Sequence, residues 1–77
     1  MWRIDPNPCN SLLAVNISKF TNYSQILIYN SLGIVLIQSP IFSLSFEVDI
    51  GNFFEGIYYV ELIIDEKTKI FKRILKV

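Results

Sequence analysis

The chain has 77 residues, 52% of them hydrophobic and only 18% charged, with seven basic and seven acidic side chains in balance. One domain is the most this length supports, with roughly 60% of the unfolded surface buried on folding and a thin core. Such a composition is too apolar for a disordered segment and too neutral for an electrostatic grip on nucleic acid. A single cysteine, Cys9, leaves the fold to side-chain burial without an internal disulfide.

Apolar residues recur with period two, the spacing of strands rather than helices. Trp2 to Ile4 reads as a short first strand, and Pro6-Asn7-Pro8 as a stiff connection after it. Strands are then predicted over about 11–17, 24–29 and 34–39, parted by a polar stretch at Lys19–Ser24 and by the turn Asn30-Ser31-Leu32-Gly33. Ser39-Pro40 ends the third of these. The next strand, about 44–50, alternates cleanly, with Phe46, Val48 and Ile50 against Ser45, Glu47 and Asp49. Gly51-Asn52 and Glu55-Gly56 bracket a loop that holds Phe53-Phe54. Two strands follow, about 56–65 and 68–76, around a hairpin tip at Asp65-Glu66-Lys67. Tyr58, Val60 and Leu62 are the expected core positions of the longer one. Faces cannot be assigned for Ile34–Ile37 or Ile70–Leu75, where apolar residues run together. Six strands and a short seventh, with turns at intervals of eight to twelve residues, indicate an all-β sandwich or small barrel.

Catalytic chemistry finds little footing. No histidine is present, which excludes Ser-His and Cys-His nucleophile pairs and leaves a zinc site without its usual ligands. Gly33, Gly51 and Gly56 are too dispersed for a phosphate-binding loop. Glu47 and Asp49 share a strand face about 7 Å apart by strand rise, and a solvated face explains them. Cys9 has no neighbouring base in sequence to activate it; Arg3 is the one nearby cation. The Asn16-Ile17-Ser18 and Asn22-Tyr23-Ser24 glycosylation patterns are short enough to arise by chance. The expectation is a non-enzymatic domain with no cofactor and no metal. Aromatic residues, Phe53 and Phe54 above all, are the candidates for a carbohydrate- or peptide-binding platform.

Four segments in order carry a resemblance. They are Asp5-Pro6-Asn7-Pro8 before the strand Leu12–Ile17, then Ile26–Asn30 running into Leu32-Gly33. Next comes Val48-Asp49-Ile50 with Glu55-Gly56-Ile57-Tyr58-Tyr59-Val60, and last a basic terminal strand, Lys69 to Lys76, ending at Val77. Over about residues 4–77 the chain resembles the C-terminal sorting domain of type IX secretion cargo. Its motif positions here are Pro6, Asn7, Pro8, Leu32, Gly33, Gly56 and Tyr58. The chain departs from the family pattern at Asp5, where an aromatic is common, at Glu55, and at the bulky Phe53-Phe54.

The resemblance implies an all-β, small immunoglobulin-like antiparallel β-sandwich of about seven strands, and a secretion signal, residues 1–77, at the end of a longer exported protein. Such a domain passes through the periplasm and is received by an outer-membrane type IX translocon, without inserting in the membrane itself. A sortase-like signal peptidase then removes it, and the cargo reaches the cell surface or the medium. Recognition is implied for the last strand, here Lys69, Lys72, Arg73, Lys76 and Val77. With Lys67 these place five of the seven basic residues in the last eleven positions, a basic edge that would also discourage edge-to-edge aggregation. Exchange of the short N-terminal strand between two chains is a route to a dimer.

Overall fold

The computed structural model describes residues 2–77, which form seven strands and no helix. They are β1 (Trp2–Asp5), β2 (Leu12–Ile17), β3 (Gln25–Asn30), β4 (Val35–Pro40), β5 (Ser45–Asp49), β6 (Gly56–Ile63) and β7 (Lys69–Lys76). All seven follow the sequence reading to within a residue or two. Pro40 is the exception in kind: it ends β4 from inside the strand. It can do so because β4 is an edge strand, where a missing N–H is tolerated.

Two antiparallel sheets result, ordered β1-β2-β5 and β4-β3-β6-β7. The chain changes sheet at β2–β3, β4–β5 and β5–β6, so the strands form two separate sheets and not a small barrel, in the immunoglobulin-like β-sandwich that the resemblance implies. Alternation supplies the core. Ile4, Leu13 and Val15 from one sheet and Ile26, Ile28, Val60, Leu62 and Ile74 from the other are all within 1% of full burial. Phe46, Val48, Ile37 and Ile70 close its margins.

The two ambiguous runs are settled by register. Ile70, Lys72, Ile74 and Lys76 lie opposite Leu62, Val60, Tyr58 and Gly56, so they share the inner face. Lys69, Phe71, Arg73 and Leu75 therefore point outward. In β4 a register shift at Ile28/Tyr29 leaves Ile37 half-buried opposite Ile28, while Ile34, Val35 and Leu36 are all exposed.

Away from the strands, Ser24 ties the β2–β3 connection to the opposite hairpin. Its buried hydroxyl accepts from the Thr21 N–H (2.8 Å) and donates to the Ile64 carbonyl. The Ile41 N–H then bonds the Ser24 carbonyl at 3.0 Å, which anchors the β4–β5 crossover at the same end.

Candidate functional site

The motif positions, scattered along the sequence, meet at one end of the sandwich. The Asp5–Pro6 and Asn7–Pro8 peptide bonds are both cis. Between the prolines, the Asn7 carboxamide lies along the free edge of β7. It donates to the Arg73 carbonyl (3.2 Å) and accepts from the Leu75 N–H (2.9 Å). Cys9 continues the contact: its N–H bonds the Leu75 carbonyl at 2.8 Å, and its carbonyl accepts from the Val77 N–H at 2.9 Å. Residues 7–9 thus act as a short parallel partner to the end of β7. Edge groups of an outer strand invite pairing with another chain; here the N-terminal segment satisfies them over Arg73–Val77.

β6 flanks β7 on its other side. Gly56 lies opposite Lys76, and Tyr58 opposite Ile74. Gly56 has φ = +145°, in the region that side chains rarely adopt, and nothing lies within 4 Å of where a Cβ would sit. Backbone geometry, not crowding, is what requires glycine there. Tyr58 is buried, and its hydroxyl donates to the Phe54 carbonyl at 2.7 Å while its ring meets Phe53 at 5.0 Å. Tyr58 in turn faces Asn30 of β3. The Asn30 side chain accepts from the N–H groups of Leu32 (2.9 Å) and Ile34 (3.0 Å), and Gly33 takes φ = +84° in that turn. Leu32 itself is 81% exposed at the tip. Six of the seven motif residues are therefore structural at this end, and Leu32 is presented to solvent.

The basic residues do not form one edge. Lys69 and Arg73 are exposed and outward, and Lys67 lies in the β6–β7 hairpin. Lys72 points inward, because its partner is Val60. Its amine escapes the apolar interior by donating to the Ile4 carbonyl (2.6 Å), 6.0 Å from the Trp2 ring. Lys76, opposite Gly56, is only 6% exposed and donates to the Val77 carbonyl at 2.9 Å. Sequence spacing could not separate these, since four lysines and arginines alternate irregularly with apolar residues over 69–76.

Cys9 is fully buried in the core. Burial raises its thiol pKa, partly offset by a backbone hydrogen bond from Ser11 and by the charge of Lys76. Arg3 is engaged elsewhere, paired with Asp5. The neutral thiol is thus the folded form. Its contribution to stability is fully present below the ordinary thiol pKa and is lost as pH rises through the raised folded value. Alkylation by iodoacetamide, followed by mass spectrometry, is expected to be slow in buffer at pH 8 and rapid in denaturant. Comparable rates in both would show that Cys9 is not held in the core.

The aromatic platform divides as well. Phe53 turns in against Tyr58, whereas Phe54 is 89% exposed. A groove of about 540 Å³ lies at the opposite end between Lys19, Thr21, Tyr23 and the β6–β7 hairpin. Asp65 in that hairpin is held below the usual carboxylate range, chiefly by the Lys67 N–H and the Thr68 hydroxyl. Among the described residues no three potential metal ligands gather. Glu47 and Asp49 stand exposed on β5.

The family described as the secretion system C-terminal sorting domain matches residues 3–76. The chain belongs to that family. No curated protein and no solved structure matches it. A sorting domain of this kind is a type IX secretion signal, served by that secretion system and directing export to the cell surface or beyond it. The end of the sandwich just described is where this sorting domain holds its terminal strand, and a carbohydrate-binding reading is not favoured.

Proposed function

We propose that this domain, residues 1–77, ends a longer secreted protein and presents β7 to the outer-membrane translocon after passage through the periplasm. The observation that carries this reading is the clamp of Asn7 and Cys9 on Arg73–Val77. It holds the terminal strand in place while leaving Lys69, Arg73 and Val77 exposed. Lys72 and Lys76 support the strand from its inner face, so their part in recognition is to fix its position. A sortase-like signal peptidase then removes the domain.

Export of a reporter tests the reading. A fluorescent protein with a signal peptide carries residues 1–77 at its C-terminus in a bacterium with type IX secretion. The intact fusion is expected outside the outer membrane, and one lacking residues 68–77 in the periplasm. The charge reversal Lys69→Glu/Arg73→Glu touches two exposed side chains and is expected to keep the fold while cutting export. Retention of the intact fusion would defeat the sorting role for this chain. Normal export of the reversal would remove Lys69 and Arg73 from recognition.

Asn7→Ala separates clamp from surface. It removes two hydrogen bonds at a water-accessible edge, a loss of about 1–2 kcal/mol. Urea denaturation should show that drop in midpoint with the slope unchanged, and reporter export should fall. An unchanged midpoint would mean that water replaces the carboxamide without loss.

A further inference from the structure

The two outer faces of the sandwich differ in kind. On β1-β2-β5 the outward positions include Arg3, Asp5, Asn16, Ser45, Glu47 and Asp49, with Leu12 and Ala14 as apolar exceptions. That is the wet face expected of an antiparallel sheet. On β4-β3-β6-β7 the register sets out Leu27, Tyr29, Ile57, Tyr59 and Ile63 along the two central strands, flanked by Val35 and Phe71. Tyr29 and Tyr59 stack at 5.9 Å in the middle of it, and Phe71 is 59% exposed. A largely apolar face with aromatic residues at its centre, broken on β6 by Glu61 and edged by Gln25, Gln38, Lys69 and Arg73, has the composition of an interface.

We propose that this face binds a second copy of the chain, sheet against sheet about a two-fold axis. Three observations select that occupant. First, a twisted four-stranded sheet is best matched in shape by another such sheet, and two sheets of like twist pack face to face. Second, the other outer face cannot serve as the partner. Stacking it on Tyr29 and Tyr59 would bury four charged side chains, Arg3, Asp5, Glu47 and Asp49, on a largely apolar face, which is costly, and such a head-to-tail contact does not close into a pair. A symmetric, closed pair is the remaining arrangement within one kind of chain. Third, the charges are self-complementary. Glu61 sits opposite Phe71, between Lys69 and Arg73 on the neighbouring strand, so the face carries both signs. The β3–β4 half carries none, because residues 20–46 contain no charged side chain. Two copies therefore meet without like charges across the apolar half, and zero net charge removes long-range repulsion.

Sedimentation velocity of the 77-residue chain, from low micromolar to near-millimolar concentration, tests this. A reversible monomer–dimer equilibrium is expected. Tyr59→Glu should weaken it by at least about tenfold, and so should Phe71→Glu, which lies on an exposed edge-strand position and spares the core. Ala14→Glu, on the opposite face, should leave it unchanged, with circular dichroism confirming the fold of all three. A monomer at every concentration overturns the proposal. So does a dimer that persists in both face variants, as one formed by exchange of β1 would. Reporter export is read separately: a domain that exports but never dimerises loses this interface and keeps its sorting role.

Discussion

Ile28→Ala is expected to lower stability by about 2–5 kcal/mol, the range for truncating a large aliphatic residue in a closed core. Ile28 is fully buried on β3, a central strand, with Val60 and Ile37 as its cross-strand neighbours. Its loss opens a cavity that both sheets border. A domain of this length commands only about 4–12 kcal/mol in total, so the variant keeps a small margin or none. Thermal unfolding should fall by roughly 4–8 °C for each kcal/mol lost. The matching reporter fusion should then fail to leave the periplasm, because the clamp at Arg73–Val77 exists only in the folded sandwich. Export at normal yield from an unfolded variant would show that the secretion system reads a linear peptide and not the folded strand. A loss well under 2 kcal/mol would mean that the thin core collapses around the gap.

Gly56→Ala should cost about 1–3 kcal/mol from backbone strain alone. The position opens β6 at φ = +145°, a conformation open to glycine and strained for an L-residue, yet the space beyond it is empty. The strain falls next to Lys76, the residue that bridges to Cys9. It should therefore loosen the clamp more than the far end of the sandwich. Hydrogen exchange at the Leu75 and Val77 amides is the local readout, with thermal unfolding as the global one. Chemical synthesis supplies the decisive control. D-alanine at position 56 has the opposite backbone preference and should restore most of the stability. Equal losses from both enantiomers would place the cost in contacts and not in φ.

These two residues also show the different reach of sequence and structure. Tyr58, Val60 and Leu62 were legible as core, because a half-buried strand writes its inner face at every second position, whereas Ile28 lies in the unbroken apolar run Ile26–Tyr29 and only its register with Val60 sets it inward. Gly56 was legible as a turn glycine and a motif position. Its place across Lys76 from Cys9 was not, since 47 positions separate them and only the β6–β7 register and the parallel bridge set them on either side of that residue.

Composition and alternation by themselves determined an all-β chain of seven strands, without histidine or any metal-binding pattern, and its ordered motifs carried the resemblance to a sorting domain. Those are local properties, set by side-chain chemistry and by a repeat of two. Tertiary structure alone decided which lysines of β7 face inward, that Asn7 completes the edge of that strand, and that one outer face is polar while the other is apolar. Each of these depends on which strands become neighbours and in what register. A one-residue shift of register exchanges inner and outer faces without altering a letter of the sequence. Lys72 marks that boundary most clearly: its place in the chain reads as surface charge, and only its pairing with Val60 turns it inward to the carbonyl of Ile4.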